Sequence, residues 1–203
     1  MPARTYSKTF VPLESNPQIF TSLAHNLGAS PGLKFTEFYS LDDDDDSEPK
    51  KGEILAYILA FPTSEDYEDE RAAEGEKDID EPDSILDRLI NTPASQRSHF
   101  LDTCSELEGF YAEAADQGNT QPPENGFEVD WHYTCFISSA EKHKLYELDG
   151  DRWGPLYHAD IDPDLEDFDT KATGLIRKYF ERAEEGKEVQ FSVMALINEP
   201  SVF

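Results

Sequence analysis

Two short stretches of sequence decide the fold, VDWHYTCFI at residues 129–137 and KLYEL at residues 144–148. In both stretches apolar and polar side chains alternate, which is typical of β-strands with one buried face. The polar residues 138–143 between them favour a turn. We therefore predict an antiparallel hairpin, the unit from which a sheet with short connections is built.

This hairpin is expected to bring a histidine and an aspartate together. With the turn centred between Ala140 and Glu141, His132 lies directly opposite Asp149, with β-carbons about 5 Å apart. Alternation places the other face toward a core, with these members: Trp131, Tyr133, Cys135 and Ile137. An aspartate that orients a histidine is two thirds of a nucleophilic triad, and a buried pair that only satisfies itself is the alternative until a nucleophile is found.

The chain has two cysteines, and neither fits the role of that nucleophile. Cys135 is three residues from His132 on a strand, so it points to the opposite face. Cys104 belongs to the apolar stripe of a helix that we predict to start near Pro93, where a structural thiol is expected. Two cysteines also provide no disulfide framework, which favours a reducing, intracellular compartment.

The charge of the chain restricts its partners. Its 203 residues include 17 Lys and Arg against 44 Asp and Glu, which gives a formal net charge of −27. Nucleic acid phosphates and anionic lipids would repel such a chain, so we expect neither as a partner and favour a basic one. The sequence has no apolar stretch long enough for a bilayer and no signal-peptide pattern at its start. We expect it in the cytoplasm, with the nucleus as a further location.

The remaining elements are mixed in order, which favours an α+β fold rather than a doubly wound sheet. The first predicted helix is capped by Ser15, has Pro17 in its first turn and ends at Gly28. Further helices are predicted at 85–90, from Pro93 and at 170–183, and strands near 35–41, at 53–61 for the central strand and at 189–197. Residues 64–83 are predicted to form an acidic linker.

Other polar clusters are weaker candidates for a site. The alternating acids Asp160, Asp162, Asp164 and Glu166 are spaced like part of a calcium loop, but Leu165 replaces the glycine that such a loop requires. We interpret this segment and the acidic run at 42–46 as solvated loops. The remaining histidines are expected to be surface or capping residues: His25, His99, His143 and His158.

Several motifs along the chain resemble those of the ubiquitin C-terminal hydrolase family, which are papain-like thiol proteases. The motifs are FVPLESNP at 10–17, FYSL at 38–41, ILAYILAFP at 54–62, GNT at 118–120, VDWH at 129–132, LYELDG at 145–150 and the strand at 191–196. The resemblance extends over nearly the whole chain. It implies a single domain over residues 8–198, interrupted by the acidic linker at 64–83, with an antiparallel sheet packed between helices.

The resemblance also implies roles for individual residues. His132 would be the general base and acid, and Asp149 would orient it. It implies no metal and no organic cofactor, and it implies ubiquitin or a ubiquitin conjugate as partner of a monomeric protein. The acidic chain suits ubiquitin, whose C-terminal tail carries arginines.

One family segment is missing from this sequence. Family members have a Gln and an Asn-Ala-Cys-Gly stretch before the Ser-x-Leu helix, whereas here Asp78-Ile-Asp-Glu-Pro82 continues directly into Ser84. The nucleophile, the Gln of the oxyanion hole and the helix that carries the nucleophile are therefore absent. We expect the chain as given to be catalytically incompetent, as an incomplete gene model or a splice form of a thiol-dependent deubiquitinase. The alternative is a non-catalytic ubiquitin-binding pseudoenzyme.

Overall fold

A computed structural model of the chain describes residues 12–39, 41, 54–62, 92–119, 131–139, 143–152, 154–162, 167–183 and 191–198. The chain divides into two compact units. The helical unit comprises Met1–Pro31 and Asp78–Phe127, and the sheet unit comprises Gly32–Lys77 and Glu128–Phe203.

The helical unit begins with helix α1, Pro17–Asn26. The N-cap is Asn16, one residue later than the predicted Ser15, and its side chain accepts a hydrogen bond from the Gln18 backbone N–H at 2.9 Å. Both Ser and Asn can cap a helix, so the sequence pattern did not distinguish Asn16 from its neighbour Ser15. Gly28 has a φ of 105°, which only glycine adopts without strain, and so it ends the helix as predicted.

The helix predicted from Pro93 consists of two helices, α2 at Ala94–Thr103 and α3 at Ser105–Asp116. The prediction of one continuous helix is therefore wrong. Cys104 separates the two helices because its backbone is extended, with φ −76° and ψ 96°. Just before the break, the Thr103 hydroxyl donates to the carbonyl oxygen of His99 at 2.8 Å. Such a bond back to the preceding turn bends helices.

Helices α1 and α3 pack together around a small apolar core in this unit. The core residues are Leu13, Ile19 and Ala114, with Phe20, Leu23, Tyr111 and Ala115 packed against them. Helix α3 contributes Tyr111, Ala114 and Ala115 to this core.

The sheet unit contains six strands in the spatial order β1-β6-β2-β3-β4-β5, and every pair of neighbours is antiparallel. The strands are β1 Leu33–Glu37, β2 Ile54–Pro62, β3 Trp131–Ser139, β4 Lys144–Asp149, β5 Leu156–Asp160 and β6 Ser192–Asn198. The predicted α+β class is confirmed. Strand β5 was missed by the sequence analysis because it is short and lies at the edge of the sheet.

Strand β2 is the central strand, as predicted, and lies between β6 and β3. Tyr57 and Leu59 are fully buried, although Leu55 near its start is 44% exposed. In β6 the adjacent residues Met194 and Ala195 are both buried. Strand β6 lies inside the sheet between β1 and β2, so both of its faces carry buried residues.

Helix α4, Phe168–Ala183, packs against β2 and β4. Ala172 and Ile176 are fully buried in the core of the sheet unit, and three further side chains of the helix pack around them: Leu175, Tyr179 and Phe180. The same core contains Phe136 of β3 and Leu145 of β4. The helix therefore covers the face of the sheet that carries the even-numbered residues of β3.

Several predictions fall outside the described residues. These are the acidic linker at 64–83, the helix at 85–90, the acidic run at 42–46 and residues 163–166 of the acidic loop that begins at Asp160. That residues 8–198 form a single domain stays a prediction.

We predict that Ile176→Ala lowers the free energy of unfolding by about 2–5 kcal/mol, because it leaves a cavity between α4 and the sheet. The control is Leu55→Ala, which truncates a half-exposed side chain in the same unit and should change stability by less than about 0.5 kcal/mol. Chemical denaturation followed by circular dichroism measures both. Equal losses in the two variants would contradict the assigned position of α4.

Candidate active site

The β3–β4 hairpin brings His132 and Asp149 into hydrogen-bond contact. Nε2 of His132 lies 2.6 Å from Oδ1 of Asp149. The Asp149 side chain is fully buried and the His132 side chain is 15% exposed. Because a carboxylate only accepts hydrogen bonds, Nε2 carries the proton and donates it to Asp149. The other ring nitrogen, Nδ1, therefore carries the lone pair.

The predicted register of this hairpin is wrong by two residues. Thr134, not His132, is directly opposite Asp149, and Ser139 pairs with Lys144. The turn is centred one residue later than expected, and a shift of the centre by one residue moves the pairing by two. Since side chains alternate with a period of two, His132 stays on the same face as Asp149, as a diagonal neighbour within reach of an aromatic ring.

The two faces of β3 also differ from the prediction. Thr134 and Phe136, on the His132 face, are buried, whereas Trp131 on the other face is 42% exposed. The face that the sequence assigned to the core is thus the less buried one in β3. The reason is α4, which packs on the His132 face.

One apolar ring positions the imidazole from β2. The Phe61 ring meets the His132 ring edge to face, with centroids 5.7 Å apart and planes at 76°. Phe61 is itself buried and contacts the ring of Tyr179 on α4. The imidazole therefore has one carboxylate at its edge and packed aromatic rings beside it.

The Asp149 carboxylate contacts two further groups besides His132. Its Oδ1 also accepts the backbone N–H of Asp151 at 2.9 Å, and its Oδ2 lies 3.3 Å from Nε of Arg152. The Arg152 side chain is only 4% exposed, and the same Nε lies 3.3 Å from Oε1 of Glu147. One buried guanidinium is thus shared by two buried carboxylates.

Glu147 connects this ion pair to the rest of the sheet unit. Nε2 of His158 on β5 lies 2.7 Å from its Oε2, and the hydroxyl of Tyr179 on α4 donates to its Oε1 at 2.7 Å. Burial and the adjacent Glu147 carboxylate raise the pKa of the Tyr179 hydroxyl above its ordinary value, so it remains a donor. Glu147 accordingly joins two strands and a helix at one buried point.

Sequence reasoning missed Arg152 and Glu147, and it assigned His158 wrongly to the surface or to a cap. His158 is half-buried and paired with Glu147. A signal existed for Glu147, because it is two residues from Asp149 on the same strand and shares its face. The other histidines agree better with expectation: His25 and His99 are exposed, and His143 lies in the hairpin turn with a φ of 47°.

The two cysteines lie in different units of the chain. Cys135 is on the opposite face of β3 from His132, as predicted, and burial raises the pKa of its thiol to about 12, so it stays protonated at neutral pH. Cys104 belongs to the helical unit, at the junction of α2 and α3.

We predict that Arg152→Met lowers the free energy of unfolding by about 3–5 kcal/mol, because it leaves the Glu147 and Asp149 carboxylates buried without their shared cation. Lys178→Met on the exposed side of α4 is the control and should have little effect. Asp149→Asn added to Arg152→Met should restore part of the stability, since one uncompensated charge is removed. Thermal and urea unfolding measure these variants together with the single Asp149→Asn variant, and strictly additive losses in the double variant would contradict the shared-cation arrangement.

Comparison with known proteins gives a consistent result over most of the chain. The sequence profile of ubiquitin carboxyl-terminal hydrolase, family 1, matches residues 10–87 and 78–181. The ubiquitin carboxyl-terminal hydrolase of Drosophila melanogaster is 28% identical over 93% of this chain and 97% of its own length. The yeast protein YUH1 of the same description is 26% identical over 94% of this chain and 96% of its own length.

Solved structures share the fold. The catalytic domain of Trichinella spiralis UCH37, solved in complex with ubiquitin vinyl methyl ester, superposes with a TM-score of 0.69 at 19% identity, covering 96% of this chain and 98% of that domain.

The relatives also carry residues that have no counterpart in this chain. The alignment with the fly protein spans 228 positions, more than the 203 residues present here, so the relative carries residues that this chain lacks. The two matches to the family profile overlap at residues 78–87. With the matched segments extending over most of its length, the chain belongs to the ubiquitin carboxyl-terminal hydrolase family 1.

Proposed function

We propose that His132 and Asp149 are the acid–base pair of a thiol-dependent ubiquitin carboxyl-terminal hydrolase, and that the chain as given binds ubiquitin without cleaving its conjugates. The observation that carries the first part is the 2.6 Å contact between Nε2 of His132 and the buried Oδ1 of Asp149. The second part rests on the sequence between Asp78 and Ser84, which has no Cys-Gly pair.

In this proposal each group has a separate task. Asp149 fixes the ring through Nε2, so Nδ1 is the nitrogen that takes a proton from an approaching thiol. The resulting thiolate would attack the carbonyl carbon after the last glycine of ubiquitin. The imidazolium, stabilised by Asp149, then gives its proton to the leaving amine. Water releases ubiquitin from the thioester, with the imidazole acting again as base.

The missing thiol is the reason that this sequence of steps does not start in the given chain. Cys135 stays protonated on the opposite face of β3. A coding segment lost from the gene model, or skipped in splicing, accounts for the short path from Asp78 to Ser84 between family motifs that are present on both sides of it. A pseudoenzyme that keeps a ubiquitin-binding surface is the second candidate.

The charge of the chain supports the choice of partner. With a net charge of −27, it attracts the basic tail of ubiquitin and repels nucleic acids and anionic membranes. Among the described residues, no helix is long and apolar enough to cross a membrane. We propose a monomeric protein of the cytoplasm, in keeping with its two unpaired cysteines.

We predict no turnover of a fluorogenic ubiquitin substrate by the given chain, because the nucleophile is missing. Insertion of the family's Gln and Asn-Ala-Cys-Gly segment between residues 78 and 84 should produce turnover. In that background His132→Ala should lower kcat by about 10²–10⁴-fold or more, since it removes the general base. His25→Ala, at an exposed histidine of α1, is the matched control and should leave kcat unchanged.

Two results would contradict this assignment. Hydrolysis by the given chain that His132→Ala abolishes would mean that a nucleophile is present after all. Equal activity of the His132→Ala and His25→Ala insertion variants would remove His132 from the mechanism. Genomic DNA between the codons for Asp78 and Ser84 distinguishes a lost segment from a pseudoenzyme, because only a lost segment leaves an open reading frame encoding the cysteine.

We predict that the given chain shifts the NMR resonances of ¹⁵N-labelled ubiquitin, most strongly in its C-terminal tail. Higher salt should weaken the effect, because the attraction between the acidic chain and the basic tail is screened. Unchanged ubiquitin spectra at millimolar concentrations of a folded chain would rule out binding.

A further inference from the structure

A cavity lies between the β5 edge of the sheet and helix α4. Its volume is about 330 Å³, which is within the range of about 300–1,000 Å³ that is usual for small-molecule sites. Its walls come from β4, from β5 and from one side of α4, all within the sheet unit. The cavity contains neither His132 nor Asp149, so it is separate from the candidate active site.

A β-bulge forms the sheet wall of the cavity. Tyr146 of β4 pairs with Tyr157 of β5, but the preceding residue Leu145 pairs with Ala159. His158 is therefore an extra residue on β5, which is the arrangement of a bulge, and bulges re-aim side chains. As a result, the consecutive residues His158 and Ala159 both line the cavity together with Leu145.

The ring of His158 gives this wall a fixed shape. Its Nε2 lies 2.7 Å from Oε2 of the buried Glu147, and its ring centroid lies 6.5 Å from that of Phe136 in the core. A side chain held from two directions does not fold into the space beside it. The cavity is thus formed before any ligand arrives, which lowers the entropic cost of binding.

The helix wall contains a glycine at its middle. Thr170, Gly174 and Lys178 follow one another at intervals of four residues, so they form one stripe of α4 that lines the cavity. Glycine inside a helix is unfavourable relative to alanine. Close packing does not account for Gly174, because a Cβ placed there would meet no atom of the described residues within 4 Å. The absence of a side chain at this position instead enlarges the cavity.

The cavity is basic although the chain is strongly acidic. Among the described residues, the charged side chains that line it are Lys171 and Lys178, and no carboxylate does so. Lys171 is neutralised locally, because its Nζ donates to the carboxylate of Asp167. Lys178 is exposed and forms no ion pair with any residue that the structure describes. The cavity therefore has one uncompensated positive charge at its rim.

We propose that this cavity binds a small monocarboxylate with an apolar body, of which a medium-chain fatty acid is the representative. The apolar body packs against Leu145, Ala159 and Leu175, and the carboxylate pairs with Lys178. One uncompensated cation matches a single negative charge rather than a phosphate dianion. The site requires no thiol, so it is independent of the proposed hydrolase mechanism.

The test is an NMR titration of the ¹⁵N-labelled full chain with sodium octanoate. We expect saturable shifts of the Gly174 and Ala159 amide resonances. Octanamide has the same apolar body without the charge and should bind about tenfold more weakly or worse, since a charge-assisted contact is lost. Acetate has the charge without the apolar body and should not saturate the site.

Substitutions in the two walls identify the site. Lys178→Met should weaken octanoate binding about tenfold or more, whereas Lys178→Arg should retain it, because the charge is kept. Lys34→Met on β1, at the opposite edge of the sheet, is the matched control and should leave the affinity unchanged.

A substitution that fills the cavity gives a second measurement. Gly174→Leu should abolish binding without lowering the melting temperature, because leucine is the better helix former and meets open space. Gly109→Leu, at an exposed glycine of α3 with equally open surroundings, is its control and should not affect binding. Circular dichroism verifies that each variant is folded.

Four outcomes would overturn the proposal. Equal affinities for octanoate and octanamide would mean that no charge is recognised. Equal weakening by Lys34→Met and Lys178→Met would mean that only the overall charge matters. Unchanged binding by a folded Gly174→Leu variant would place the ligand elsewhere, and tighter binding of octyl phosphate than of octanoate would contradict the preference for a single negative charge.

Discussion

The sheet unit depends on one buried cation. Arg152 stands between Glu147 and Asp149, and without it two carboxylates would share a water-excluded region on neighbouring positions of one strand. Like charges at that spacing cannot both remain ionised in a medium of low dielectric constant. The guanidinium therefore allows Asp149 to act as a charged acceptor for His132, and allows Glu147 to accept from Tyr179 and His158.

This arrangement divides the histidine environment into a fixed side and an open side. On the fixed side, Nε2 meets an aspartate that is locked by a backbone N–H and by Arg152. On the open side, Nδ1 lies 3.5 Å from Oδ2 of Asp151. A thiol beside Nδ1 would complete the proposed hydrolase site.

Sequence patterns predicted the parts of the site that depend on local periodicity. Alternation in the hairpin was enough to place His132 and Asp149 on one face, and the helical stripe of α4 was enough to bury Ile176. What the sequence could not reveal depends on contacts distant along the chain. Arg152 follows a glycine and an aspartate and has the pattern of a surface turn, and only the fold shows that it points inward to Glu147. The break at Cys104 depends on a single extended residue within a helical pattern.

The spacing of the β3–β4 turn has a consequence for how this family can vary. The pairing of β3 with β4 is displaced by two residues from the predicted pairing, yet the imidazole of His132 and the carboxylate of Asp149 still meet. A displacement by an even number of residues leaves each side chain on the same face of the sheet. An odd displacement, such as a single-residue insertion between Ser139 and Lys144 that slides one strand past the other, would carry the carboxylate to the reverse surface and separate the pair. Loop lengths in this hairpin are thus constrained by parity rather than by size, and homologues should tolerate paired insertions there more readily than single ones.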